Sequence, residues 1–116
     1  MGRTKEKDYI TLEIELDEKK MPSRIYWKAS GKSREGSDSD EVKAFFLSMF
    51  DAKTRETLEM DLWTTKMQII EMDRFVYQSL SALAGLYVRA TNNRELGEQM
   101  QQFVHYFGQK TEIIKK

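Results

Sequence analysis

Between Trp63 and Ile69 the spacing of apolar side chains changes, and that change restricts the folds open to the chain. Upstream, apolar residues recur at every second position. Ile10, Leu12, Ile14 and Leu16 alternate with Thr11, Glu13 and Glu15, the pattern of a strand with one buried and one wet face. Residues 17–23, with the only proline, break the pattern as a turn, and Ile25, Trp27 and Ala29 resume it. Two strands this close in sequence form an antiparallel hairpin most simply. Residues 42–50 are apolar on both faces, with Val42, Ala44 and Phe46 on one and Phe45, Leu47 and Met49 on the other. So short a run suits a buried helical turn or a strand. We read a central strand, because residues 51–56 have the composition of a hairpin loop and residues 57–63 alternate again. Leu58, Met60 and Leu62 are expected to point inward, with Glu59 and Asp61 outward.

Downstream the period lengthens. Ile69, Met72, Phe75 or Val76, Leu80, Leu83, Leu86 or Tyr87, and Ala90 are three to four residues apart, the spacing of one helix face. A helix over 69–90 is roughly 33 Å long, enough to run along strands of about 26 Å. Asn92 and Asn93 interrupt it, with Asn93 placed as the cap of a second helix carrying Leu96, Met100, Phe103 and Phe107 and ended by Gly108. The order is β-β-β-β-α-α. Strands grouped before helices predict an α+β fold, an antiparallel four-stranded sheet covered on one face by two helices. Residues 9–110 are expected to form the single domain, with a polar tail over 1–8 and a fraying end over 111–116. Residues 30–40 hold no apolar side chain and read as a mobile surface loop.

A chain of 116 residues fits one core, and 40% apolar with 11% aromatic residues is enough to build it. Nineteen basic side chains balance nineteen acidic ones, so no long-range field draws the chain to nucleic acid or an anionic membrane. The lack of cysteine removes disulfides and thiolate metal sites. With no long apolar run and a polar start, the expected location is the cytoplasm.

Catalytic chemistry finds little to work with. His105 is the single histidine, and triads or two-histidine metal sites need partners it lacks. Glu13, Glu15, Glu59 and Asp61 would crowd together if their strands were neighbours, and could then hold a hard cation or exchange a proton. The competing reading is a solvated outer face offset by Arg24, Lys28 and Lys43. The acids at 38–41 lack a glycine-centred calcium loop, and no phosphate-cradling glycine motif is present. We therefore expect no enzyme, no cofactor and no metal. If helices cover one sheet face, the other either lies under the long 30–40 loop or leaves Tyr26, Phe45, Leu47, Met49 and Trp63 uncovered as the candidate protein interface.

Leu16-Asp17-Glu18, Pro22, Ile25 and Trp27, then Asp61-Leu62-Trp63-Thr64, Glu71-Met72-Asp73-Arg74-Phe75, Ala90-Thr91-Asn92 and Tyr106-Phe107 follow in a telling order and spacing. In these the chain resembles the gliding motility protein GldC family over about residues 9–110. The resemblance implies a small accessory protein of gliding motility in Bacteroidetes-type bacteria, without established enzymatic activity and with no site residues to transfer. The partner it implies is a protein of the motility or secretion machinery, met by protein–protein interaction. Four antiparallel strands followed by helices is also the arrangement of SecB-like export chaperones. That alternative predicts a homo-oligomer binding unfolded peptide, but shared fold alone does not license it.

Overall fold

The computed structural model describes residues 6–30 and 40–115, so most of the expected 30–40 loop and of the 1–8 tail lies outside the described residues. The elements are β1 (Ile10–Leu16), β2 (Pro22–Ala29), β3 (Asp40–Val42), β4 (Ala44–Phe50), β5 (Thr57–Trp63), α1 (Ile69–Thr91) and α2 (Arg94–Lys110). They fall into two compact units, residues 1–67 with the strands and residues 68–116 with the helices. The α+β class holds, and all strand pairs are antiparallel.

The single four-stranded sheet does not hold. β1, β2 and β3 form one sheet in that order, and β4 and β5 form another. The expected strand over 42–50 is in fact two, separated by a bend at Lys43. Val42 belongs to the first sheet, opposite Ile25. From Ala44 onward the chain pairs with β5 instead. One run of sequence thus passes from one sheet to the other, as strands do at sheet corners. The corner is fastened by backbone bonds: Thr64 N–H donates to the Lys43 carbonyl at 2.8 Å, and Thr65 N–H to the Pro22 carbonyl at 3.0 Å.

In the three-stranded sheet the register puts Ile10, Leu12 and Ile14 opposite Ala29, Trp27 and Ile25. Successive strand residues face opposite ways, so these six side chains share one face, and Ile25 at its centre is fully buried. Thr11, Glu13 and Glu15 lie opposite Lys28, Tyr26 and Arg24 on the other. The ladder shifts between Glu15 and Leu16, where Leu16 meets Pro22. Ser23 is the extra residue there, its hydroxyl donating to the Glu15 carbonyl at 3.1 Å. Proline is tolerated at the first position of the strand.

The two hairpin loops are built alike. In the first, the Asp17 carboxylate accepts the N–H groups of Lys19 and Met21, and Lys20 takes a positive φ of 62°. In the second, the Asp51 carboxylate accepts those of Lys53 and Thr54, and Arg55 takes 59°. An aspartate that binds backbone two residues on is a turn-forming device.

The helical unit is an antiparallel hairpin joined by Asn92 and Asn93. Asn92 adopts the left-handed conformation that ends α1 (φ 59°). The Asn93 side chain accepts the Leu96 N–H at 3.1 Å and caps α2, as its place in the sequence predicts. At the start of α1 the Glu71 side chain accepts the Gln68 N–H at 3.0 Å. Small residues let the helices approach: Gly97 lies against Val88, and Gly108 against Tyr77 and Ile114. Gly108 does not end α2, which runs on to Lys110. The chain then turns so that the Ile114 N–H reaches the Gly108 carbonyl at 3.0 Å. With Gly97, Val104 and Gly108 as its buried face, Leu96 and Phe103 of the expected α2 stripe stay exposed.

Candidate functional site

The β4–β5 hairpin carries one wholly apolar face. Its register pairs Phe45 with Leu62, Leu47 with Met60 and Met49 with Leu58. Every side chain on that face is apolar. Leu47, Met49, Leu58 and Met60 keep between 38% and 53% of their surface exposed, and Phe45 and Leu62 are half-buried. A contiguous exposed apolar patch marks an interaction site more often than a stray apolar residue does.

The opposite face is mixed, holding Ala44, Phe46, Ser48 and Phe50 of β4 with Thr57, Glu59, Asp61 and Trp63 of β5. Glu59 and Asp61 are two residues apart on one strand face. The hydrogen bond between their carboxyl groups, with some desolvation and charge repulsion, holds Glu59 above the usual carboxylate range.

The five residues expected to form one interface are therefore divided. Phe45, Leu47 and Met49 do share a face. Trp63 lies on the other side of the hairpin, opposite Ala44. Tyr26 belongs to the three-stranded sheet, on its polar face opposite Glu13 and Glu41. There its hydroxyl accepts a bond from Arg24 Nη1 at 3.3 Å, which raises the Arg24 pKa. The residues that complete the apolar face are Leu58, Met60 and Leu62. Their signal was in the sequence: a loop over 51–56 makes Phe50 face Thr57, and counting back places odd positions of β4 opposite even positions of β5.

The carboxylates at 13, 15, 59 and 61 do not converge by strand pairing, because β1 pairs with β2 and β5 with β4. Among the described residues no three His, Asp or Glu side chains are grouped to hold a metal ion. His105 lies with Glu98, Gln101, Gln102, Tyr106 and Gln109 along a shallow, open hollow on α2. No second histidine is available to it. Among the described residues no helix is long and apolar enough to cross a membrane.

Comparison with curated proteins and with solved structures finds no match. One protein family does match, described as gliding motility-associated protein GldC-like, over residues 22–113. That span takes in β2 through α2, including the whole β4–β5 hairpin and both helices. The chain belongs to the GldC-like family of gliding motility-associated proteins.

Proposed function

We propose that the chain is a non-enzymatic accessory protein of gliding motility, acting by holding a protein partner on the apolar face of the β4–β5 hairpin. The observation that carries this reading is the face itself: Phe45, Leu47, Met49, Leu58, Met60 and Leu62, with no polar side chain among them. Docking there removes apolar surface from water at about 25 cal/mol per Å². The family supplies the setting, and the partner is a component of the motility or secretion machinery met in the cytoplasm. Residues 9–110 act as one domain in this role.

Proximity labelling from the wild-type protein in gliding cells tests it, with Leu47→Asp and Met60→Asp as comparisons. The expected result is a motility or secretion component recovered by the wild type and lost from both variants. Equal recovery by all three would move the contact elsewhere, and recovery of no such component would remove the reading.

A second reading is favoured by the exposure of both faces of β4, where Phe46 and Phe50 are 56% and 69% exposed opposite Leu47 and Met49. A strand open on both faces suits the capture of extended apolar segments, the SecB-like alternative. Affinity for a chemically denatured protein separates the two, since an adaptor for one folded partner shows none.

A further inference from the structure

The edge of the β4–β5 hairpin is a surface separate from its face. Among the described residues β4 pairs with β5 alone, so its outer backbone groups meet no third strand. Two-stranded sheets are marginal in water and gain from further strands. Open edges are normally guarded by charge. Here β1 carries Glu13 and Glu15, β3 carries Asp40 and Glu41, and β5 carries Glu59 and Asp61. β4, with the sequence Ala-Phe-Phe-Leu-Ser-Met-Phe, carries no charge. Among the described residues it is the exception among the four edge strands.

The ladder shows which β4 groups face outward. Asp51 N–H donates to the Glu56 carbonyl and Thr64 N–H to the Lys43 carbonyl, so 51 with 56 and 43 with 64 are hydrogen-bonding pairs. In an antiparallel ladder such pairs alternate with non-bonded ones. Phe45, Leu47 and Met49 therefore direct their backbone groups to β5. Ala44, Phe46, Ser48 and Phe50 direct theirs to the open edge.

We infer that β4 pairs antiparallel with β4 of a second copy of this chain, about a two-fold axis at Leu47, to make a continuous four-stranded sheet. In that register Phe46 meets Ser48 of the second copy and Ala44 meets its Phe50. All four outward-facing residues exchange hydrogen bonds. Leu47 meets its own counterpart and Phe45 meets Met49, so the two apolar hairpin faces join side by side. Two copies meeting by β1, β3 or β5 would bring carboxylates against carboxylates. Meeting by β4 they bring none. The contact is isologous, the commonest form in soluble oligomers, and its test needs no knowledge of the motility partner.

Native mass across micromolar to submillimolar protein, on the full chain, tests this with Ser48→Pro, Ser48→Lys and Glu59→Lys. Proline at 48 removes a donor from the open edge while sparing the ladder to β5, whose bonds run through Phe45, Leu47 and Met49. By symmetry each substitution acts twice per dimer. We expect twice the 13.7 kDa chain mass for the wild type and for Glu59→Lys. The two Ser48 variants should dimerise on the order of a hundredfold more weakly. A wild-type monomer throughout overturns the inference. So does a dimer that survives both Ser48 substitutions, or one that Glu59→Lys abolishes. If Ser48→Pro fails to fold by circular dichroism, Ser48→Lys carries the comparison. Amide exchange on the wild type gives an independent reading: the Phe46 and Ser48 amides should slow as concentration rises, and concentration-independent exchange counts against the pairing.

Discussion

Two glycines of the helical hairpin should respond to alanine with opposite signs. Inside an exposed helix, Gly→Ala stabilises by about 1 kcal/mol, because glycine has more backbone freedom to lose. Gly85 should show that gain. A Cβ there meets only the Arg89 guanidinium, at 3.3 Å from Nη1, and this flexible end can swing away. Gly97 should not. A Cβ there lands well inside contact with Cγ2 of Val88, a β-branched residue of α1 that is stiff at χ1. Overpacking of that kind costs about 1–3 kcal/mol, so the net effect of Gly97→Ala runs from near zero to a loss of about 2 kcal/mol. For a chain this size that loss is roughly 8 °C in melting temperature, against a rise of about 4 °C for Gly85→Ala. Thermal melts followed by far-ultraviolet circular dichroism, with urea titrations, would measure both. Val88→Ala removes the clashing methyl, so Gly97→Ala should cost little in that background, with a coupling energy of at least about 1 kcal/mol. If Gly97→Ala raised the melting temperature as much as Gly85→Ala, the close approach of the two helices would be wrong.

Three further substitutions test the strand unit. Thr64 is 2% exposed and its hydroxyl has no hydrogen-bond partner, so Thr64→Val should be neutral or stabilise by about 1 kcal/mol in urea titration; a clear loss would show the hydroxyl to be satisfied. Glu59→Gln should raise the melting temperature at neutral pH, because the Glu59 pKa is raised by its hydrogen bond to Asp61 and its ionisation weakens the folded state. That advantage should fade as pH falls below the ordinary glutamate value of about 4.3, and a pH-independent difference would refute the coupling. Asp51 titrates the other way: the N–H groups of Thr54 and Lys53 lower its pKa. Its stabilisation is complete above the unfolded value of about 3.9 and is lost as pH falls through the lower folded value. Asp51→Asn should therefore melt lower at neutral pH and match the wild type in strong acid.

What the sequence disclosed was whatever depends on neighbours close in the chain. The alternation of Ile10, Leu12 and Ile14 marked β1, and the longer period marked α1 over 69–90 against an observed Ile69–Thr91. Asn93 declared the start of α2, because an asparagine cap is a contact across three residues. What stayed hidden depends on partners far away. Nothing local in Val42-Lys43-Ala44 says that the strand changes sheets there, since the bend is fastened by Thr64, twenty-one residues on. Gly108 reads as a helix stop by composition, yet its lack of a side chain admits Tyr77 of the other helix.

The same distinction explains why the candidate interface was half legible. Phe45, Leu47 and Met49 stand out because a strand apolar on alternate positions needs no partner to be noticed. Tyr26 was placed beside them on the premise of a single sheet, and the division into two sheets separates it, whereas Trp63 shares their hairpin and is turned to its opposite face by the register. That division also recasts the acidic residues. Glu13, Glu15, Glu59 and Asp61 suggest a catalytic cluster only if β1 and β5 are neighbours. On separate edges they are spaced carboxylates along backbone that would otherwise accept another strand. The raised pKa of Glu59 follows chiefly from its hydrogen bond to Asp61 on the same strand face, and a proton-transfer role is not needed to explain it. β4 lacks such charges, and it borders the apolar face. Among the described residues, charge therefore guards three strand edges and leaves the fourth without it.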